Sequence, residues 1–140
     1  MNLKKTIYYE CYQYTLDHNG GTFGSVNLTP LPEQWPVYIL SMDDDRGVEI
    51  PLTEFTPTAL TLFVENNRAF IASENAKWEQ DDTAGHKEIG TWIHDGVVYL
   101  DVVTLLSAFE YDRSDIDKIA QRHHQRAYYD MLHGETVWVA

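Results

Sequence analysis

Residues 91–100 read TWIHDGVVYL and form the strongest local signal in the sequence. Strand-forming residues stand on both sides of Asp95-Gly96. Asp-Gly is a preferred pair for a two-residue type I′ turn, because both turn positions need a positive φ angle. The stretch therefore predicts an antiparallel hairpin. Since such a hairpin must bury one face, we expect Trp92 and Tyr99 in the core, together with Trp138 of a second hairpin.

The N-terminal segment is ambiguous between strand and helix. Residues 6–16 are rich in β-branched and aromatic types, which favours a strand. A helix with Tyr8, Cys11 and Tyr12 on one face is the alternative. In a strand the tyrosines would fall on both faces, and an exposed tyrosine-rich face is typical of protein–protein contacts. The tyrosines concerned are Tyr8, Tyr9, Tyr12 and Tyr14.

The rest of the chain predicts short strands and two amphipathic helices. The expected elements are a turn at 19–21, a strand at 22–23, a loop over 24–36, a hairpin over 37–50 with the acidic run 43–45 at its tip, a helix over 56–67, a loop over 73–88, an ambiguous apolar stretch over 102–109, a helix over 114–127 and a hairpin over 128–139. Thr56-Pro57 is the expected start of the first helix. Ser114, with Asp117 three residues later, is the expected start of the second helix. No repeated βαβ rhythm is present. The expected fold is a single α+β domain, residues 1–140, built of antiparallel hairpins and two amphipathic helices.

Composition excludes several classes of protein. The 140 residues include 22 acidic and 10 basic ones, a formal net charge of −12. This excess of carboxylates argues against direct binding of nucleic acid, because phosphate binding needs clustered Lys and Arg. Cys11 is the single cysteine, which excludes an intramolecular disulfide framework. No apolar run is long enough to span a membrane, so the expected location is the cytoplasm.

The negative charge concentrates in the middle of the chain. Residues 37–85 carry ten carboxylates and three basic side chains, a net charge of −7. A DNA mimic presents carboxylates on rigid elements and occupies the basic groove of a nucleic-acid-binding protein. The alternative is that this charge only keeps a small domain soluble. The candidate partner-binding residues are Asp43, Asp44, Asp45, Glu49, Glu54, Glu74, Glu79, Asp81 and Asp82, with Glu65 in the same pool.

One cluster has side chains suited to catalysis, the run Arg122-His123-His124-Gln125-Arg126. Two His beside Arg are the groups that a small nuclease would use as general acid, general base and phosphate-stabilising cation. Neighbouring residues on a helix point about 100° apart, so the two rings would not face one substrate. We expect one His to pack beside Ala120 and Ala127, the other to face solvent, and no catalytic residue.

Metal and cofactor binding have little support in the sequence. No HExxH, paired CxxC or EF-hand spacing is present, and Asp43-Asp44-Asp45-Arg46-Gly47 lacks the alternating ligands of a calcium loop. We therefore expect neither a metal nor a cofactor. The histidines that could still meet acidic residues in space are His86, His94, His123, His124 and His133.

A set of positions spread over the second half forms a recognisable pattern. The positions are Gly90-x-Trp92, Asp95-Gly96, Val98-Tyr99-Leu100-Asp101-Val102, Gln125-x-Ala127-x-x-Asp130 and Gly134-Glu135-x-Val137, with residues 14–23 as the matching opening. This pattern resembles a module of small uncharacterised accessory proteins of phages and mobile elements. The resemblance implies an origin rather than a mechanism. Accessory genes of such elements often encode inhibitors of host defences, including anti-CRISPR and antirestriction proteins.

Charge and resemblance together give the expected function. It is a non-enzymatic, anti-CRISPR-like inhibitor that binds a basic nucleic-acid-binding host protein, such as a defence nuclease or its complex, through an acidic DNA-mimicking surface. The site of action would be the cytoplasm of a bacterial host. Two alternatives stay open: an interaction or assembly module that uses the tyrosine-rich segment, and a small His/Arg nuclease.

Overall fold

The computed structural model describes residues 3–80 and 86–139, and within them the side chains of residues 3–5, 44 and 78–80 fall outside the description. The described elements are α1 (Leu3–His18), β1 (Gly20–Phe23), β2 (Val37–Leu40), β3 (Val48–Pro51), α2 (Pro57–Gln80), β4 (His86–His94), β5 (Val97–Ser107), α3 (Arg113–Arg122), β6 (Ala127–Asp130) and β7 (Glu135–Trp138). Two short 3-10 turns, Asp44–Arg46 and Leu52–Glu54, flank β3. The predicted α+β class is confirmed, although three helices rather than two lie within the described ranges.

The described strands form one antiparallel sheet around β5. The strand order is β1-β4-β5-β2-β6-β7, and β3 pairs with β5. The hairpin predicted from residues 91–100 is confirmed, since β4 and β5 pair from His86↔Leu105 to His94↔Val97. Asp95 and Gly96 have φ angles of 49° and 75°, as a type I′ turn requires. The C-terminal hairpin, β6 with β7, is confirmed as well.

The hairpin predicted over residues 37–50 is wrong, although both of its strands exist. β2 pairs with residues 104–107 of β5, and β3 pairs with residues 97–100 of the same strand. With 11 residues, β5 is long enough to hold both short strands along one edge. The turn between them packs on α2: Arg46 donates to Asn67 Oδ1 at 3.1 Å and lies 3.7 Å from the centroid of the Phe70 ring. The acidic run is therefore not an isolated tip.

α1 replaces the strand that residues 6–16 favoured, so the helical alternative is correct. Tyr8, Cys11 and Thr15 are buried at spacings of three and four, the period of one helical face. Tyr8 and Cys11 belong to the main core, with α2 and the sheet. Strand propensity is a weak preference, and burial of this face outweighs it.

α2 begins where the sequence predicts. The Thr56 hydroxyl accepts a hydrogen bond from Ala59 N at 3.1 Å, and Pro57 occupies the first turn.

The end of α2 differs from the prediction, because the helix continues past Asn67 to Gln80. Asn67 is buried, and its amide donates to Phe63 O at 2.8 Å within the helix. Since the Asn67 amide NH2 is bonded within the helix and its Oδ1 accepts from Arg46, neither group is left to compete for a helix-ending turn. The loop predicted over 73–88 is therefore wrong at 73–80, which are helical, and at 86–88, which begin β4; its residues 81–85 lie outside the described residues.

α3 is shorter than the predicted helix over 114–127. Its N-cap is Asp112, which accepts from Asp115 N at 2.9 Å while Asp115 accepts from Asp112 N at 3.1 Å. This reciprocal capping box displaces the weaker start predicted at Ser114. The helix ends before His124, which has a left-handed φ of 56°, and the chain then enters β6.

The helices cover one face of the sheet. Along β5, Val98, Leu100 and Val102 pack in the core formed with α1 and α2, and Leu106, on the same face, packs with α3. The opposite face holds a smaller cluster, in which Leu31 of the 24–36 loop packs against Ile39, Val103 and Leu105. Within the described ranges, no helix is long and apolar enough to cross a membrane.

Candidate interaction surface

The predicted acidic residues do not form one cluster in the structure. Asp43 lies 2.9 Å from the ammonium nitrogen of Lys87, whose side chain is 7% exposed. Glu74 pairs with Lys77 at 3.3 Å, and Glu65 bonds to Tyr8 and Arg68. The side chains of Asp44 and Glu79 and the whole of Asp81 and Asp82 lie outside the described residues.

Three of the predicted carboxylates remain exposed around β3. Asp45, Glu49 and Glu54 are exposed, and none of the three forms an ion pair with another described residue. Leu52 N donates to Gly96 O at 2.9 Å, which brings the turn after β3 to the tip of the β4–β5 hairpin. Asp95, 87% exposed, lies at that tip. We call Asp45, Glu49, Glu54 and Asp95 the acidic edge. Asp95 is absent from the set of partner-binding residues predicted from the sequence. There it is assigned to the Asp95-Gly96 turn, which by itself accounts for an aspartate at this position.

An aromatic surface adjoins the acidic edge on the sheet face opposite the helices. In register, Gly20 of β1 pairs with Trp92 of β4, Trp92 with Tyr99 of β5, and Tyr99 with Glu49 of β3. The Trp92 and Tyr99 ring centroids are 5.4 Å apart, and His94 stacks on Trp92 at 4.9 Å. We call Trp92, His94 and Tyr99 the aromatic row.

The expectation that three hairpin aromatics form core is wrong. Trp92 is 52% exposed, Trp138 is 74% exposed and Tyr99 is half-buried. The reason is the side of the sheet on which they lie: Ile89, Thr91 and Ile93 of β4 face the helices, so Trp92 must face away. A hairpin pattern alone does not reveal which face is covered.

The tyrosine-rich N-terminal segment does not present one tyrosine face. Tyr8 is buried, Tyr12 packs on Phe55 at 5.0 Å, and Tyr14 meets Phe23 edge-on at 5.4 Å. Tyr9 is exposed. The tyrosines that the alternative assembly module would use for contact therefore lie on different sides of α1.

The histidine pair differs from its predicted packing. His123 and His124 are both exposed, so the expectation that one packs beside Ala120 and Ala127 is wrong. His123 is the C-cap of α3, and the chain leaves the helix at His124 with a left-handed φ. Arg122 and Arg126 are exposed too. These four side chains are thus exposed at the end of α3 rather than packed in the core.

A second polar cluster joins α3 to the C-terminal hairpin. The buried carboxylate of Asp130 accepts from Arg113 Nη2 at 2.7 Å and contacts His133 Nδ1 at 2.8 Å. Arg113 also donates to Glu135 at 2.6 Å. Burial alone raises the pKa of Asp130, but the hydrogen bonds from His133 and Arg113 outweigh it, so that the pKa lies below its usual value. No sequence motif marks this cluster, because its members come from three elements.

A shallow cavity of about 380 Å³ lies between α1, α2 and the loop after β1. Its polar wall is Tyr8, Glu65 and Arg68, which bond to one another, and Arg68 also donates to Ser25 O at 3.3 Å. Burial, followed by the hydrogen bond to Glu65, raises the pKa of Tyr8. These three polar side chains hydrogen-bond to one another. The remaining lining residues, Ile7, Val26 and Leu28, are apolar.

No metal-binding arrangement is found in the part of the chain that the structure describes, where no three His, Cys, Asp or Glu side chains come together suitably. Cys11 is buried, and burial raises the pKa of its thiol to about 12. The thiol is therefore protonated near neutral pH and is a weak nucleophile.

Comparison with known proteins adds no relative. Neither the protein-family models, nor the curated proteins, nor the solved structures contain a match to this chain. The acidic edge and the aromatic row are thus the features from which function can be argued.

Proposed function

We propose that the protein is a non-enzymatic inhibitor that binds a basic, nucleic-acid-binding host protein through the acidic edge. The observation that carries the proposal is the exposure of Asp45, Glu49 and Glu54 around one edge strand, free of described ion pairs. The resemblance to accessory proteins of phages and mobile elements supports a defence nuclease as the partner, in an anti-CRISPR or antirestriction role in the bacterial cytoplasm.

The physical basis is competition with nucleic acid. A protein of net charge −12 is attracted to a basic groove over a distance of about one Debye length, roughly 10 Å at 0.1 M salt. β3 and the β4–β5 hairpin hold carboxylates on hydrogen-bonded backbone, so little ordering is needed on binding. Occupying the groove blocks DNA or RNA without any chemical step.

Charge reversal at the acidic edge should weaken inhibition about tenfold or more, because three favourable charge contacts become repulsive. The variant is Asp45→Lys/Glu49→Lys/Glu54→Lys. It is compared with wild type for displacement of labelled DNA from a panel of purified restriction endonucleases and CRISPR effector complexes. For any enzyme that wild type inhibits, the variant should need a correspondingly higher concentration.

A matched control separates the site from overall charge. Glu10→Lys/Glu33→Lys/Glu110→Lys reverses three exposed carboxylates elsewhere and changes the net charge equally. It should inhibit almost as well as wild type. Equal losses in both variants, or no displacement of DNA from any enzyme of the panel, would contradict the proposal. Inhibition should also weaken as NaCl rises from about 0.05 to about 0.3 M, because salt screens these charges.

A further inference from the structure

The aromatic row is an exposed aromatic surface in the body of the sheet. Trp92 lies on β4, which has neighbouring strands on both sides, yet half of the residue is exposed. The opposite face of the same strand contributes Ile89 and Thr91 to the buried interior. An exposed aromatic group with a polar rim commonly marks a binding site.

Two of the residues next to Trp92 on its face of the sheet are glycines. Gly20 stands beside Trp92 in register, and Gly90 lies two residues before it on the same face. Neither position tolerates a side chain easily: at Gly20, with φ +131°, a Cβ would lie 2.4 Å from Thr91 O, and at Gly90 it would lie 2.6 Å from Val103 Cγ1. The indole is therefore accessible from the β1 side, where Gly20 has no side chain, whereas Val103 fills the space at the buried Gly90.

The charge around the aromatic row is negative. Glu49 pairs in register with Tyr99, and Asp95 and Glu54 lie at the hairpin end of the same region. Lys87 is the one Lys or Arg in β1, β3, β4 and β5, and it faces the helices, where it donates to Thr104 at 2.7 Å. An occupant of this face therefore meets aromatic rings and carboxylates without a competing Lys or Arg from these strands.

We propose that Trp92, Tyr99 and Glu49 form a site for an arginine side chain of the protein partner. A guanidinium stacks flat on an aromatic ring and still presents a planar pair of N–H donors to a carboxylate, whereas an ammonium is more strongly hydrated and lacks this geometry. In register, Tyr99 has Trp92 on one side and Glu49 on the other, so the row holds two aromatic rings and, next to Tyr99, a carboxylate. The inference rests on the proposed function and adds the residue type that the partner contributes.

The test is an NMR titration at low salt with a short peptide of Arg-Gly-Gly repeats, beside Lys-Gly-Gly and Glu-Gly-Gly peptides of equal length. The Arg peptide should shift the indole N–H resonance of Trp92 while leaving that of Trp138 unchanged. It should bind several-fold more tightly than the Lys peptide, and the Glu peptide should not bind.

Variants assign the binding to the site. Trp92→Ala and Glu49→Gln should each weaken the Arg peptide about two- to fivefold, the size of a cation–π contact or an ion pair at an exposed site. Trp138→Ala is the matched control, because it removes another exposed aromatic group and should leave the affinity unchanged. Glu49→Gln, exposed and nearly isosteric, keeps the test valid should Trp92→Ala fold poorly.

The outcomes separate this inference from the proposed function. Equal binding of Arg and Lys peptides, unchanged affinity in Glu49→Gln, self-association through Trp92, or a shift of Trp92 by oligosaccharides but not by the Arg peptide would each overturn the arginine site. Nuclease inhibition that depends on the acidic edge would still support the proposed function. Conversely, specific Arg-peptide binding at Trp92 without displacement of DNA from any enzyme would support the site and overturn the inhibitor function.

Discussion

Asp43→Asn should lower the free energy of unfolding by about 3 kcal/mol, whereas Asp45→Asn should change it by less than about 0.5 kcal/mol. The two aspartates lie two residues apart in the same acidic run, but their surroundings differ. The Asp43 side chain is 20% exposed and pairs with buried Lys87, while Asp45 is exposed and has no ion pair among the described residues. Urea unfolding at neutral pH measures both changes.

The loss expected at Asp43 comes chiefly from its partner. Without the carboxylate, the ammonium of Lys87 stays buried with Thr104 as its described hydrogen-bond acceptor, and desolvation of an uncompensated charge is costly. Lys87 cannot easily move to solvent, because its backbone N–H and C=O are both bonded to the Asn75 side chain, at 2.7 and 3.0 Å.

A double-mutant cycle isolates this pair. Lys87→Met removes the buried cation, so Asp43→Asn/Lys87→Met should recover much of the stability lost in Asp43→Asn, to within about 1 kcal/mol of wild type. Additive losses would contradict a coupled pair. An Asp43→Asn variant no less stable than Asp45→Asn would contradict burial of the charge. The same result decides how binding data are interpreted, because reversing all of Asp43, Asp44 and Asp45 would perturb the fold as well as the surface.

The sequence predicted those elements whose signal is local. The β4–β5 hairpin follows from Asp95-Gly96, and the start of α2 follows from Thr56-Pro57, because turn and cap chemistry act between neighbouring residues. The placement of β2 and β3 depends on the length of β5, which begins more than forty residues further along the chain. No local pattern can carry that information.

The candidate site was predicted only in part, for a related reason. The composition gives the sign of the surface charge, and the sequence identifies Asp45, Glu49 and Glu54, which are exposed in the structure. It cannot separate them from Asp43, because the distinction depends on Lys87, a residue on β4 that is distant in the sequence. Likewise, the alternation along β4 shows that Trp92 lies opposite Ile89 and Ile93, but three helices decide which of the two faces is buried.

The proposed function and the proposed arginine site assign complementary roles to the two surfaces. In the proposed complex the acidic edge would provide long-range attraction, which increases the rate of encounter and depends on salt. The aromatic row would provide the short-range contact, which slows dissociation and depends on the geometry of the bound arginine. Because Glu49 belongs to the edge and also pairs in register with Tyr99, it connects the two. Variants of Asp45 should therefore affect association, and variants of Trp92 dissociation.

Asp130→Asn should cost about 2 kcal/mol at pH 7, and this difference from wild type should disappear in acid. The carboxylate of Asp130 is 1% exposed and bonds to Arg113 and His133, while Glu135 shares Arg113 and Tyr38 lies close enough to feel its charge. Its pKa in the folded protein lies below the unfolded value of about 3.9. The charge therefore stabilises the fold fully above the unfolded pKa, and the stabilisation is lost as the pH falls from there through the folded pKa.

Urea unfolding of wild type and Asp130→Asn at a series of pH values from about 7 to about 2 measures this difference, and the other carboxylates cancel because both proteins contain them. Glu135→Gln is the matched control: it removes a carboxylate that bonds to the same Arg113 but is exposed, so its effect should be small at every pH. A gap between wild type and Asp130→Asn that stays constant down to the lowest pH would show that the carboxylate is not preferentially ionised in the fold. A gap that closes below about pH 4 identifies Asp130 as the charge that joins α3 to the C-terminal hairpin.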